Sequence, residues 1–234
     1  MRRRIAIITA RGGSKRIPKK NIREFCGKPI LAYVIQAAME SELFDEVMVS
    51  TDSTEIAEVA KKYGAKIPFL RSSKTSGDYA TTSEVILEVL EEYDKMKSNF
   101  DTLVCIYPTA PFLTADKLRA AVAKLENTDC IEVLPVVRFS YPPQRGFVRK
   151  DQYIEMQHPK YKFSRSQDLE TMYHDAGQFY CFRVDEYLKC EGRVTEKIVP
   201  FEISELEVQD IDNEVDWKLA ELKYKFLHGL DERG

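Results

Sequence analysis

From residue 5 to residue 137 the chain alternates short apolar runs with amphipathic stretches, and this rhythm restricts the fold more than any other feature. Residues 5–9, 46–50, 67–70, 103–107 and 131–137 are runs of strand length. Between them, Ile30, Leu31, Val34, Ile35 and Ala38 share one helical face just after Pro29, a residue suited to a first helical turn. Ile56, Val59, Ala60 and Tyr63 mark a second helix, with Gly64 placed to cap its end. Val85, Ile86, Val89, Leu90 and Tyr93 mark a third, and Leu118, Val122 and Leu125 a fourth that Thr114 can cap. Such alternation predicts an α/β fold, a mainly parallel sheet with helices on both faces.

The rhythm breaks near Phe139. Residues 140–163 hold Pro142, Pro143 and Pro159 among aromatic and charged residues. They read as part of an arm or lid spanning 140–175 that leaves the core. Strand character returns at 177–182, and a last helix is expected over 214–227. A chain of 234 residues that is 44% hydrophobic has material for one domain spanning 1–234.

The first strand runs straight into Arg11-Gly12-Gly13-Ser14-Lys15-Arg16-Ile17-Pro18-Lys19-Lys20-Asn21. Glycines let the backbone turn and approach a ligand, successive N–H groups form an anion-binding concavity, and Lys and Arg supply countercharge. The segment is a candidate triphosphate cradle. The P-loop and dinucleotide spacings are both absent. A net charge of −3 makes this basic cluster local, which favours a small anionic ligand over nucleic acid. No run is long enough to span a membrane, and the basic start at Met1 lacks the apolar length of a secretory leader. The expectation is a cytoplasmic chain with neither nucleic acid nor membrane as partner. Cys105, Cys130 and Cys181 sit in apolar runs, which reads as buried thiols.

Ligands of open α/β sheets bind beyond the carboxyl ends of the strands. There the sequence puts the basic loop, Ser50-Thr51-Asp52, Arg71 and Pro108-Thr109-Ala110-Pro111. Asp210 and Asp212 are two apart, so an extended backbone would aim both carboxylates one way, with Ile211 turned inward. Such a pair suits Mg²⁺ held together with substrate phosphates. Asp212 also precedes the last helix and suits a helix cap, and both readings stand.

Residues 10–21, with Ser50-Thr51-Asp52, Arg71 and Asp210-Ile211-Asp212, resemble the CMP-sialic acid synthetases, the acylneuraminate cytidylyltransferases, across essentially the whole chain. Gln144-Arg145, Arg165-Ser166-Gln167-Asp168-Leu169 and residues 173–180 resemble the pseudaminic acid branch. The resemblance implies a Rossmann-like nucleotidyltransferase fold with a small dimerisation arm. It implies a Mg²⁺-dependent enzyme that transfers CMP from CTP to the anomeric hydroxyl of a nonulosonic acid, releasing diphosphate, for surface glycan or flagellin glycosylation. By that resemblance Arg11, Ser14, Lys15 and Lys20 bind phosphates, with N–H groups of Gly12 and Gly13. Asn21, Arg71, Ala80 and Thr82 read cytidine, and Asp210 and Asp212 hold the metal. Arg11, Lys15, Lys20 and Asp212 carry the catalysis. Arg165 meets the sugar carboxylate, Tyr180 lies near the sugar, and a homodimer would let the arm reach a neighbour's site. The chain departs from the sialic acid enzymes at Tyr107, Ala110 and Ala176-Gly177, all on the sugar side. N-acetylneuraminate and legionaminic acid are the alternative substrates, and a nucleotide-binding module without turnover the alternative outside the class.

Overall fold

The computed structural model describes residues 2–230. In chain order the elements are β1 (Arg4–Thr9), β2 (Glu24–Phe25), β3 (Lys28–Pro29), α1 (Ile30–Glu40), β4 (Glu46–Ser50) and α2 (Thr54–Lys62). Then come α3 (Thr82–Lys95), β5 (Thr102–Ile106), α4 (Ala115–Glu126), β6 (Glu132–Arg138), β7 (Phe147–Lys150) and β8 (Tyr153–Met156). The chain closes with β9 (Tyr173–Asp175), β10 (Phe179–Arg183), α5 (Val184–Lys189), β11 (Ile198–Glu202) and α6 (Glu214–Leu227).

One sheet organises the molecule, in the order β11-β6-β10-β5-β1-β4, with β9 beside the end of β6. β1 pairs in parallel with β4 and β5, and β11 with β6. β10 runs antiparallel to both β5 and β6, so those two strands share a direction. The sheet is thus mostly parallel, as the rhythm predicts, with β10 inserted against the grain. The insertion matters for the site. Because β10 enters where β5 ends, pairing Phe179 with Ile106, it brings residues 175–180 to the rim of the parallel strands.

β1 is buried on both faces, with Ile5, Ala6, Ile7 and Ile8 wholly excluded from solvent. Successive side chains point to opposite faces. Ala6 and Ile8 pack with Val34 of α1, Ile56 of α2 and Leu118 of α4. Ile5 and Ile7 pack with Ile86 and Val89 of α3 and Tyr187 of α5. Each fully buried Ile contributes about 1.5–3 kcal/mol. A third cluster joins α6 to the start of the chain, with Trp217 and Ala220 against Ile17, Phe25, Ile30 and Ile211. Phe25 meets Tyr33, Trp217 and Tyr224 edge-on at 5.5–5.6 Å between ring centres.

One expected strand does not form. Residues 67–70 make no ladder, although Lys66 bridges Met48 and the Arg71 N–H donates to the Thr51 carbonyl at 2.9 Å. Pro68 lies between these two contacts and has no N–H to donate, so pairing with β4 lapses. Pro29 differs in detail, standing just before α1 rather than in its first turn.

Beyond β6 the chain leaves the sheet and returns on itself, with the Phe139 N–H bonded to the Met172 carbonyl at 3.0 Å. Between these points lies the β7–β8 hairpin, whose Phe147, Tyr153 and Ile154 are exposed. Among the described residues no helix is long and apolar enough to cross a membrane.

Candidate active site

The carboxyl ends of β1 and β5 open into a cleft of about 540 Å³. Arg11, Ser14, Lys15, Lys20 and Asn21 line it from the basic loop, Arg71, Ala80 and Thr82 from the segment before and into α3, and Asp210 and Asp212 from the run before α6. Residues separated by some 190 positions thus share one wall: Arg16 pairs with Asp212 at 2.8 Å, across a separation of 196 residues.

The loop earns its shape from specific bonds. The Gly12 N–H donates to Asp52 Oδ1 at 2.8 Å, and Asn21 Nδ2 to the Arg11 carbonyl at 2.8 Å. A Cβ on Gly12 would lie 3.1 Å from the Ser53 Cβ, so this glycine lets the loop approach the start of α2. Neither Gly12 nor Gly13 has a positive φ; the left-handed residue of the loop is Lys19, at 54°. The expected sharp glycine turn is therefore corrected to a close approach. The Gly12 N–H, engaged by Asp52, is also withdrawn from the expected phosphate contacts, while Gly13 faces open space.

Arg71 is buried, and its guanidinium donates to Ser50 Oγ at 3.0 Å and to the Ser50 carbonyl at 2.7 Å. Ser50 and Asp52 hold Arg71 and the basic loop in place rather than facing the cleft. Thr82 shares a hydrogen bond of 3.1 Å with the Tyr107 hydroxyl.

The two aspartates lie on one wall, with Ile211 between them almost wholly buried. The cap of α6 is Asn213, which accepts from the N–H groups of Val215 and Asp216. Asp212 is therefore not the cap, and its carboxylate faces the cleft. Lys20 Nζ donates to the Ile211 carbonyl at 2.7 Å, tying the acidic run to the basic loop. Burial lowers the Lys20 ammonium pKa, with Asp212 and Asp210 pulling it back up. Desolvation, then the charge of Asp212, raises the Asp210 carboxyl above its ordinary value. Two hard oxygen donors on one wall fit a divalent cation that keeps open positions for substrate oxygens and water. Among the described residues, no group of three or more His, Cys, Asp or Glu is arranged to hold a metal by itself.

A second cleft, about 530 Å³, adjoins the first and shares Tyr107 and Asp210 with it. His174, Asp175, Ala176, Gly177, Tyr180, Gln209 and Lys223 line it. The Tyr180 hydroxyl donates to Asp175 Oδ2 at 2.8 Å, and the Gly177 N–H to Asp175 Oδ1 at 2.7 Å. The Tyr107 and Tyr180 rings meet edge-on at 5.4 Å, forming the border between the clefts. Burial raises the pKa of both phenols, so both stay neutral hydroxyls.

Of the expected site residues, Gly12 and Gly13 line neither cleft, and Arg165 is the expected side chain that the single chain does not bring in. It is exposed on the arm, bonded to Asp168 at 2.7 Å, and lines neither cleft. Among the residues that face the clefts, Asp78 and Lys223 were not expected from the sequence, and Asp175 was expected only as part of the stretch 173–180. Asp78 accepts from Arg11 Nη1 at 2.7 Å and from Lys15 Nζ, and these bonds hold its carboxyl below the usual range. Asp175 and Lys223 face the second cleft. An acid between Arg71 and Ala80 was a usable signal for Asp78; the outer face of α6 gave none for Lys223. The cysteines are free thiols, and burial pushes Cys105 up to about 12, which removes it as a nucleophile.

Comparison with known proteins agrees with this geometry. The chain is 40% identical over 225 residues to a pseudaminic acid cytidylyltransferase of Campylobacter jejuni, covering 96% of this chain and 97% of that protein. It is 33% identical to a CMP-N,N'-diacetyllegionaminic acid synthase of Legionella pneumophila, covering 93% and 94% of the two chains. In fold it is similar to a CMP:2-keto-3-deoxy-manno-octonic acid synthetase solved with CTP, at a TM-score of 0.69, 16% identity, and 97% and 99% coverage. The family model described as cytidylyltransferase matches residues 5–198, from the first sheet strand to the last, and on that match and these relatives the chain belongs to the cytidylyltransferase family.

Proposed function

We propose that this chain transfers CMP from CTP to the anomeric hydroxyl of a nonulosonic acid, with pseudaminic acid as the favoured acceptor, and releases diphosphate. The observation that carries the reading is the pair of adjoining clefts with a common border at Tyr107 and Asp210. One is walled by cations and paired carboxylates, the other by hydroxyl, amide and carboxylate groups suited to a polar sugar. A reaction that joins a nucleotide to a sugar needs the two held side by side.

In this reading Arg11, Ser14, Lys15 and Lys20 take the triphosphate oxygens, with the Gly13 N–H beside them. Asn21, Arg71, Ala80 and Thr82 surround the cytidine. The sugar's anomeric hydroxyl gives up its proton to solvent as its oxygen forms a bond to the α-phosphorus, the bond to the bridging oxygen of the β-phosphate breaks, and diphosphate leaves with that electron pair. Arg11, Lys15 and Lys20 neutralise the charge that gathers on the phosphate oxygens, which is the main demand of phosphoryl-type transfer. Asp210 and Asp212 would hold Mg²⁺, which when bound supplies further countercharge to those oxygens. Tyr180, held by Asp175, gives the sugar a fixed hydroxyl.

The preference for pseudaminic acid rests on the 40% identity to an enzyme named for that sugar, and on Tyr107 and Ala176 in the second cleft. The exposed arm suits a homodimer in which Arg165 reaches the neighbour's sugar. An enzyme that consumes CTP works where CTP is made, in the cytoplasm. The test is diphosphate release from CTP and Mg²⁺ with pseudaminic, legionaminic and N-acetylneuraminic acids in turn. Turnover fastest with pseudaminic acid supports the reading. Turnover fastest with another nonulosonic acid corrects the sugar, and CTP binding without release from any of them leaves a binding module instead.

A further inference from the structure

The second cleft poses an electrostatic problem. Its lining includes Asp175, Glu205 and Asp210, yet in the proposed reaction it must accept an anion. A 2-ulosonic acid carries its carboxylate on the carbon next to the anomeric centre, so that charge arrives close to the reacting oxygen. Arg165, the cation the family resemblance offers for it, lies outside the cleft in the single chain. Among the described residues lining this cleft, Lys223 is the one Lys or Arg.

Lys223 stands in the third turn of α6, half-buried. Its Nζ donates to the Val208 carbonyl at 2.7 Å and to the Glu205 carbonyl at 3.2 Å. An ammonium has three donors, so one remains for a further acceptor. The cleft's acids are engaged elsewhere. Asp175 receives the Gly177 N–H and the Tyr180 hydroxyl, and Glu205 receives the Ser140 hydroxyl at 2.9 Å. Among the described residues no carboxylate forms an ion pair with Lys223. Burial lowers the pKa of this part-buried ammonium, and the charge of Glu205, which forms no ion pair with it, pulls it only partly back up.

We infer that Lys223 receives the carboxylate of the nonulosonic acid and sets the cleft's preference for an acid over a neutral sugar. This rests on the proposed function above. The carboxylate would give the ammonium a direct ionic partner at its third donor, and the two carbonyl contacts fix the ammonium before the sugar arrives, which lowers the ordering cost of binding. Lys223 is thus a substrate-binding residue supplied by the chain's own α6.

The test pairs a change in the protein with a change in the substrate. The acid and its C1 carboxamide are compared as ligands of the wild-type chain and of Lys223→Met and Lys223→Gln, the carboxamide through its inhibition constant. Wild type should prefer the acid by about ten- to a hundredfold, the worth of one charge-assisted hydrogen bond. In both variants that preference should shrink by about fivefold or more, any remainder being the share of a neighbour's Arg165, the KM for CTP should stay within about twofold, and Lys223→Arg should recover part of the preference. Thermal unfolding of each variant confirms which are folded, and any one folded neutral variant decides the matter. A variant that keeps the wild-type preference for the acid overturns the inference. So does an equal weakening of acid and carboxamide binding, which would reduce Lys223 to a brace for residues 205–208. If the wild-type chain uses no nonulosonic acid, the proposed function fails first and this inference falls with it.

Discussion

At the residue scale the account turns on three carboxylates. Asp212 faces the cleft and does not cap α6. Asp212→Asn keeps the shape and removes a charge, so the Mg²⁺-dependent rate should fall roughly a hundredfold or more, while CTP binding without metal changes little. Full kcat at limiting Mg²⁺ would remove Asp212 from the metal. Asp210 has a raised pKa, from desolvation first and then from Asp212. A group raised in the folded state contributes stability below its ordinary carboxylate range and loses it as pH rises through the raised value. At neutral pH the metal-free chain therefore carries the cost of an ionised Asp210. Asp210→Asn should unfold at or above the wild-type Tm without metal at pH 7, with the gap closing as pH falls into the carboxylate range. A lower Tm for that variant would contradict the sign. Asp78 occupies the cations meant for phosphate, bonding both Arg11 and Lys15. In the proposed reading CTP displaces it, and two exposed ion pairs are weak, so Asp78→Asn should tighten CTP about two- to tenfold by calorimetry. Weaker CTP binding would make Asp78 part of the nucleotide site.

At the element scale most of the fold was legible. The strands from Arg4, Glu46, Thr102 and Glu132, and the helices from Ile30, Thr54, Thr82, Ala115 and Glu214, follow directly from apolar periodicity. Residues 67–70 were misread because their apolar character is real but Pro68 forbids the ladder. The reversed direction of β10 was not legible, since strand direction leaves no mark on local pattern and is set by which neighbours it joins. That reversal explains why Asp175 and Tyr180 reach the rim at all. α6 was legible as a helix but not as a support. Its Trp217 is almost wholly buried against Phe25, and Ile211 packs in the same cluster. Trp217→Ala should cost about 3–5 kcal/mol in denaturant unfolding and raise the Mg²⁺ needed for half-maximal rate, because the run bearing Asp210 and Asp212 loses its backing. A destabilised variant with an unchanged Mg²⁺ requirement would separate packing from the site.

At the scale of the whole molecule, the gathering of the first cleft's residues was readable in advance because they lie at strand ends and in one short loop. The second cleft was less so. It is assembled from β10, the run before α6 and α6 itself, and Arg165 lies outside it. In the proposed homodimer the exposed β7–β8 hairpin and Arg165 would reach the site of the second copy. Mixing Arg165→Ala chains with Asp212→Asn chains should then recover part of the lost turnover, because a hybrid dimer holds one site with both residues intact. No recovery would mean that the arm serves its own chain or no site.

The central claim is that two adjoining clefts join one nucleotide to one acidic sugar. Its most direct test is the product formed from CTP, pseudaminic acid and Mg²⁺, identified by mass spectrometry alongside a diphosphate assay. The account predicts CMP-linked pseudaminic acid and diphosphate in equal amounts, with none formed when the sugar is left out. Diphosphate released without sugar, or no CMP-linked product from any nonulosonic acid, would contradict it.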